Sequence, residues 1–318
     1  MRCSRVAVFV ALGASAGCST TPLPEDVSGR ATYEIVHKIR CEARSAIQSK
    51  AIALMLGEKS PEFVKSEGRR LKGNRAAFLH YDYKKLPKEH VALFDRYADT
   101  ALAYEFKFDI TESSSNTSTL NFKGPIGLEV FSLGWVSGGD LTRANVRTLK
   151  LADKFGDLAL KMSEDECSNE TRNTNFIYPI TGDVGILERV DTFIDLNQTG
   201  ALVGKEGSTV PTMVDSLTFT TKISMNLTPK ITINSPGNRL TDAEVKSENY
   251  REDKHEVVIS FSLPVAVAPS SAAAKPATKT GKSGIDPTKQ RALDAIDEFR
   301  TLEGYTTMKE IRRRLDVR

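Results

Sequence analysis

The chain is short of the residues that most often do chemistry. Its 318 residues include four cysteines, four histidines and one tryptophan. The histidines, His37, His80, His90 and His255, are scattered. His255-Glu256 opens like a zinc-protease pair, but Ile259 occupies the place of the second histidine, which excludes that motif. No lysine follows a serine by three residues, so the serine–lysine motif of penicillin-binding enzymes is also excluded. Gly134-Trp135-Val136-Ser137-Gly138 has the glycines of a nucleophile elbow at the wrong spacing. A phosphate loop at Gly200-Ala201-Leu202-Val203-Gly204-Lys205 would need glycine at Thr199 and a hydroxyl residue at Glu206. No catalytic, cofactor or metal site is expected. Long apolar runs are missing too: Val6–Leu12 is too short to span a bilayer, and no later segment is longer.

What stands at the start is a leader. Arg2 and Arg5 precede the apolar run, and small residues from Gly13 to Gly17 follow it, the three-part design of a secretory signal. It closes on Ala16-Gly17-Cys18, which resembles the lipobox of bacterial lipoprotein precursors, with Ser15 where leucine is usual. The resemblance covers residues 1–20 only. It implies that the leader is cut before Cys18 and that the Cys18 thiolate is alkylated with diacylglycerol. The new amino terminus would then be acylated, palmitate being the expected chain type. Ser19, rather than aspartate, follows the cysteine, which by the same resemblance implies the outer membrane, facing the periplasm. Each methylene buried in lipid contributes about 0.8 kcal/mol, so two or three chains form a lasting anchor.

Charge is uneven along the chain. The formal net charge of +3 falls to +1 once Arg2 and Arg5 leave with the leader. From Ala266 onward there are eleven basic and seven acidic residues, a net +4, which leaves residues 18–265 at −3. The basic end, Arg312-Arg313-Arg314, is the candidate partner-binding element, suited to peptidoglycan carboxylates, anionic headgroups or an envelope protein. Nucleic acid is not expected in that compartment. With Cys3 in the leader and Cys18 lipidated, Cys41 and Cys167 remain as a candidate disulfide where disulfides persist.

The patterning predicts an α+β fold: N-terminal helices, a central antiparallel sheet interrupted by a helix, and a C-terminal helical hairpin after a linker. Thr32 reads as an N-cap, followed by the helical stripe Ile35, Val36, Ile39, Ala43, Ala46 and Ile47. Tyr104, Phe106, Phe108 and Ile110 alternate with polar residues as in a half-buried strand. The polar run Glu112–Ser118 and Ser137-Gly138-Gly139-Asp140 read as turns. Thr181-Gly182-Asp183 reads as the cap of a helix carrying Ile186, Val190, Phe193 and Ile194. Leu217 to Leu227 and Val257 to Val265 alternate most clearly of all. The expected organisation is a signal peptide (1–17), a lipidated tether (18–30), an α+β body (31–265), a low-complexity basic linker (266–285) and a helical hairpin tail broken at Gly304 (286–318). Five to seven strands, interrupted by helices, are too few for a membrane barrel, which needs about eight, and a lipid anchor makes insertion unnecessary.

These features imply an outer-membrane-anchored periplasmic lipoprotein with a non-enzymatic interaction or envelope-assembly role. Two other classes remain open. An envelope-polymer hydrolase would show facing carboxylates, one of them raised in pKa. A carrier of apolar ligands would show a large apolar cavity.

Overall fold

The computed structural model describes residues 21–126, 129–168, 179–200, 202–203, 210–232, 240–265 and 284–315. In chain order the helices before the sheet are α1 (Glu25–Ser28), α2 (Thr32–Met55), α3 (Glu62–Gly73) and α4 (Lys88–Ala98). The strands β1 (Ala101–Ile126) and β2 (Glu129–Lys154) follow, then α5 (Phe155–Lys161), α6 (Glu164–Ser168) and α7 (Ile186–Gln198). Strands β3 (Thr212–Leu227), β4 (Lys230–Thr232) and β5 (Leu240–Ser262) precede the last helix, α8 (Pro287–Leu315). The fold class is α+β. The strands form one antiparallel sheet in the order β2-β1-β5-β3, and β4 pairs with β5 in the register Lys230↔Glu244.

Contacts divide the chain into two units. The larger comprises Ser28–Asp109, Val146–Thr221 and the described residues from Asp253 onward. Its core follows the alternation in the sequence. Leu102, Tyr104, Phe106 and Phe108 of β1 and Val257, Ile259 and Phe261 of β5 are buried, as is the whole apolar stripe of α2. Phe193 of α7 stacks on Phe261 at 5.1 Å between ring centres, and Phe155 of α5 meets both edge-on. The opposite sheet face buries Ala101, Ala103 and Val258 against Ala292 and Ile296 of α8. Ser260 Oγ donates to the Ala292 carbonyl at 2.7 Å, tying helix to sheet.

Cys41 of α2 and Cys167 of α6 are joined by a disulfide, with Cα atoms 5.6 Å apart. A reciprocal cap starts α6: the Glu166 amide donates to Ser163 Oγ, and the Ser163 amide and hydroxyl donate to Glu166 Oε1. Arg44, almost wholly buried, binds Glu164 at 2.7 Å and the Met162 carbonyl at 3.0 Å.

Several local expectations are corrected. Thr32 is the first helical residue and not the cap, and its hydroxyl accepts from Arg147 at 2.8 Å. The hairpin tail is one helix. Gly304 costs about 1 kcal/mol relative to alanine, less than is needed to break a helix of 29 residues. Most consequential, neither expected turn exists: Glu112–Ser118 lies within β1 and Ser137–Asp140 within β2. The serines, threonines and asparagines there mark a strand whose two faces are both outside the core. Gly138 permits close approach of the neighbouring strand, since a Cβ there would come 3.0 Å from the Asn116 carbonyl oxygen.

Candidate functional site

The smaller unit consists of the described parts of residues 1–27, 110–145 and 222–252. It is mostly sheet. Side chains alternate along each strand, and cross-strand contacts fix which residues share a face. Arg251 donates to Glu112 at 2.7 Å and Arg143 donates to the same carboxylate at 2.9 Å. Ser114 donates to Asn249, Ser247 to Asn116, Asn249 to Ser247 and Asn116 to Ser114, which makes a closed polar ring. The first face therefore carries even-numbered residues of β1 and odd-numbered residues of β2 and β5. On the second face Lys222 of β3 pairs with Glu252 of β5 at 3.3 Å, so the odd-numbered residues of β3 join the first face. Exposed apolar side chains concentrate on that first face: Leu133, Trp135, Leu141, Ile223, Met225 and Leu227.

The segment entering this unit is held in place. Arg251 donates to the Leu23 carbonyl at 2.8 Å and lies 3.8 Å from Asp26, and Asn145 donates to the Pro22 carbonyl at 2.8 Å. The described part of the expected tether is thus short helix and docked chain. Cys18 lies outside the described residues. Arg312, Arg313 and Arg314 fall in the last turns of α8, with side chains outside the described set.

Among the described residues, the other places where chemistry could occur lie in the larger unit. Glu42 of α2 caps α7 from a distance: its carboxylate accepts the Val184 amide at 3.0 Å and the Ile186 amide at 2.7 Å. Burial first, and then a hydrogen bond with the Asp183 carboxyl, push the Glu42 pKa up to about 7, against the opposing pull of the two amides. This is a pair of facing carboxylates with one raised. Its oxygens are nevertheless committed to the start of α7, which reads as a helix cap. A raised carboxyl favours the folded state while protonated. That contribution, up to about 3 kcal/mol, is present below the ordinary value near 4.5 and lost as pH rises through about 7. Thermal melting should therefore show higher stability at mildly acidic than at mildly alkaline pH, and Glu42→Gln should flatten the difference.

Ser60 and His90 meet at 3.1 Å, a contact that their separation in sequence hides. The Ser60 hydroxyl also reaches the Leu54 carbonyl at 3.2 Å, which engages its proton and leaves the imidazole as donor. That is a structural link between α2 and α4, not a nucleophile and its base. Among the described residues no cluster of three or more His, Cys, Asp or Glu side chains could hold a metal. An apolar cavity lined by Leu54, Tyr81, Tyr83, Phe94, Tyr97 and Phe155 measures about 70 Å³. Ligand pockets run to about 300 Å³ and more, so it falls well short of a lipid-sized site.

Residues 21–293 match the family model described as uncharacterised protein y4kA. The chain belongs to the Y4kA family. A protein of Sinorhizobium fredii (strain NBRC 101917 / NGR234), also described as uncharacterized protein y4kA, is 31% identical over 307 residues, 92% of each chain. Among solved structures, the type II secretin GspD of enteropathogenic Escherichia coli is similar over 65% of this chain and 85% of its own. Its TM-score is 0.25 and its identity 7%. The injectisome secretin InvG of Salmonella in its open-gate state is similar over 57% of this chain and 68% of its own, with TM-score 0.22 and 8% identity. In this Y4kA-family chain the matched region runs from the docked Thr21–Ser28 segment to the part of α8 that packs on the sheet. Among the described residues no helix is long and apolar enough to cross a membrane.

Proposed function

We propose that this Y4kA-family protein is a lipid-anchored protein of the bacterial outer membrane that faces the periplasm and acts by interaction and assembly, not by catalysis. The observation that carries the reading is the placement of Pro22, Leu23 and Asp26 against the sheet of the smaller unit. A lipid on Cys18, only four residues before Pro22, would hold that sheet at the membrane surface. The Cys41–Cys167 bridge supports an oxidising compartment. The basic end of α8, Arg312 to Arg314, is proposed to meet peptidoglycan or an envelope protein.

The test is fractionation of the native host. Wild-type protein is expected in the outer-membrane fraction and labelled by palmitate, and Cys18→Ser is expected in neither state. Wild-type protein recovered from the cytoplasm, or a Cys18→Ser protein that stays labelled and membrane-bound, contradicts the reading.

A further inference from the structure

Beyond the Glu112–Arg143–Arg251 cluster, the ionisable side chains whose placement is described all stand on one face of the sheet. Alternation puts Lys123, Asp140, Lys222, Glu244, Lys246 and Glu248 on the second face. The first face is free of charge over residues 113–122 of β1 and 132–142 of β2, ten and eleven residues respectively. It presents the apolar residues named above, and Ser114, Asn116, Ser247 and Asn249 on it hydrogen-bond one another. Ten strand residues measure about 33 Å, and a tilt of about 40° reduces this to about 25 Å, the height of the apolar band on outer-membrane barrels.

Two further observations converge on the same place. The sheet ends in β2 on one side, and on the other in β3 followed by β4 along β5. Hydrocarbon tolerates no open sheet edge, so such a sheet can enter a bilayer only if those edges are paired. The antiparallel order makes β2 and β3 run in opposite directions. An edge β3 can therefore pair antiparallel with β2 of a second copy, a head-to-tail contact that repeats until a ring closes. The chain end also fits. Four residue steps put the Cys18 Cα within about 15 Å of Pro22. Pro22 sits beside Asn145, next to the charged cluster where the charge-free face begins.

We propose that several copies of this chain pair β3 to β2 and close their sheets into one membrane-spanning β-barrel. The charge-free face meets hydrocarbon and the charged face lines an aqueous lumen. This rests on the lipid-anchor reading, because the acyl chains on Cys18 set the depth of the barrel. It also explains why the strands of one chain, too few for a barrel alone, are long and amphipathic.

The experiment uses full-length protein purified in detergent from host outer membranes. Its mass, its oligomeric state and its conductance in phosphatidylethanolamine bilayers bathed in potassium chloride are measured. Two variants on adjacent residues of β2 point to opposite faces: Ser137→Lys to the charge-free face and Val136→Lys to the charged one. The wild type is expected to be a ring-sized oligomer that conducts in discrete steps. Val136→Lys should keep that activity, and Ser137→Lys should lose about thirtyfold or more of conducting insertions, as a charge at the bilayer midplane does. Lipidated wild type that is monomeric, or a face-to-face dimer, and passes no current overturns the barrel while leaving the anchor intact. Equal conductance of the two variants also overturns it. Conducting rings with an unmodified Cys18 would support the barrel and overturn the anchor reading instead.

Discussion

Replacing both Cys41 and Cys167 by alanine is expected to destabilise the folded protein by about 4–5 kcal/mol. The two cysteines are 126 residues apart in sequence, and in the chain-entropy model a closed loop of about that length removes this much freedom from the unfolded chain. Local packing should change little, since α6 keeps its Ser163–Glu166 cap and the Arg44–Glu164 ion pair. Denaturant unfolding at neutral pH measures the effect, and a thiol reductant should reproduce it in wild-type protein. A loss under about 1 kcal/mol would mean that the bridge adds nothing the packing does not already supply.

The second large effect belongs to Arg300 of α8. Its guanidinium donates to Glu105 at 2.6 Å and lies 2.7 Å from Glu256, and Glu105 is buried in the sheet face under the helix. Lys150 also reaches Glu105, at 3.2 Å, but its ammonium is shared with Asp297. Arg300→Ala should cost about 3 kcal/mol or more, because it leaves a buried carboxylate short of its principal partner. The double variant Arg300→Leu with Glu105→Leu should cost less than the single one, as removing both charges removes the uncompensated burial. Equal costs would place the stabilisation in packing alone. The same contacts mean that deleting residues 266–318 uncovers Ala101, Ala103, Val258 and Glu105. The tail cannot therefore be removed without weakening the body.

Much of the larger unit is legible in the sequence because burial there is one-sided. The α2 stripe and the alternation at Tyr104–Phe108 and Val257–Phe261 place their apolar residues in the core without knowledge of the topology. The bridge is legible by elimination, because Cys3 belongs to the expected leader and Cys18 to the expected lipid site. The uncovered sheet is misread for a physical reason. Turn prediction equates polarity with solvent-exposed loops, whereas Ser113–Ser118 is polar because neither face of β1 there meets the core. The missing signal is the absence of glycine and proline from Glu112–Ser118. Its four serines and one asparagine favour a reversal all the same, so local composition alone points to a turn there. The Glu42 cap and the Ser60–His90 contact are illegible because both join elements far apart in the chain.

The proposed membrane anchorage depends on the modification of one thiol. Intact-mass analysis of the protein taken from its native host tests it most directly. The expected product is a chain that begins at Cys18 and carries the added mass of a diacylglyceryl group and an amide-linked acyl chain. A mature chain with an unmodified Cys18, or one that retains the Met1–Gly17 leader, would contradict it.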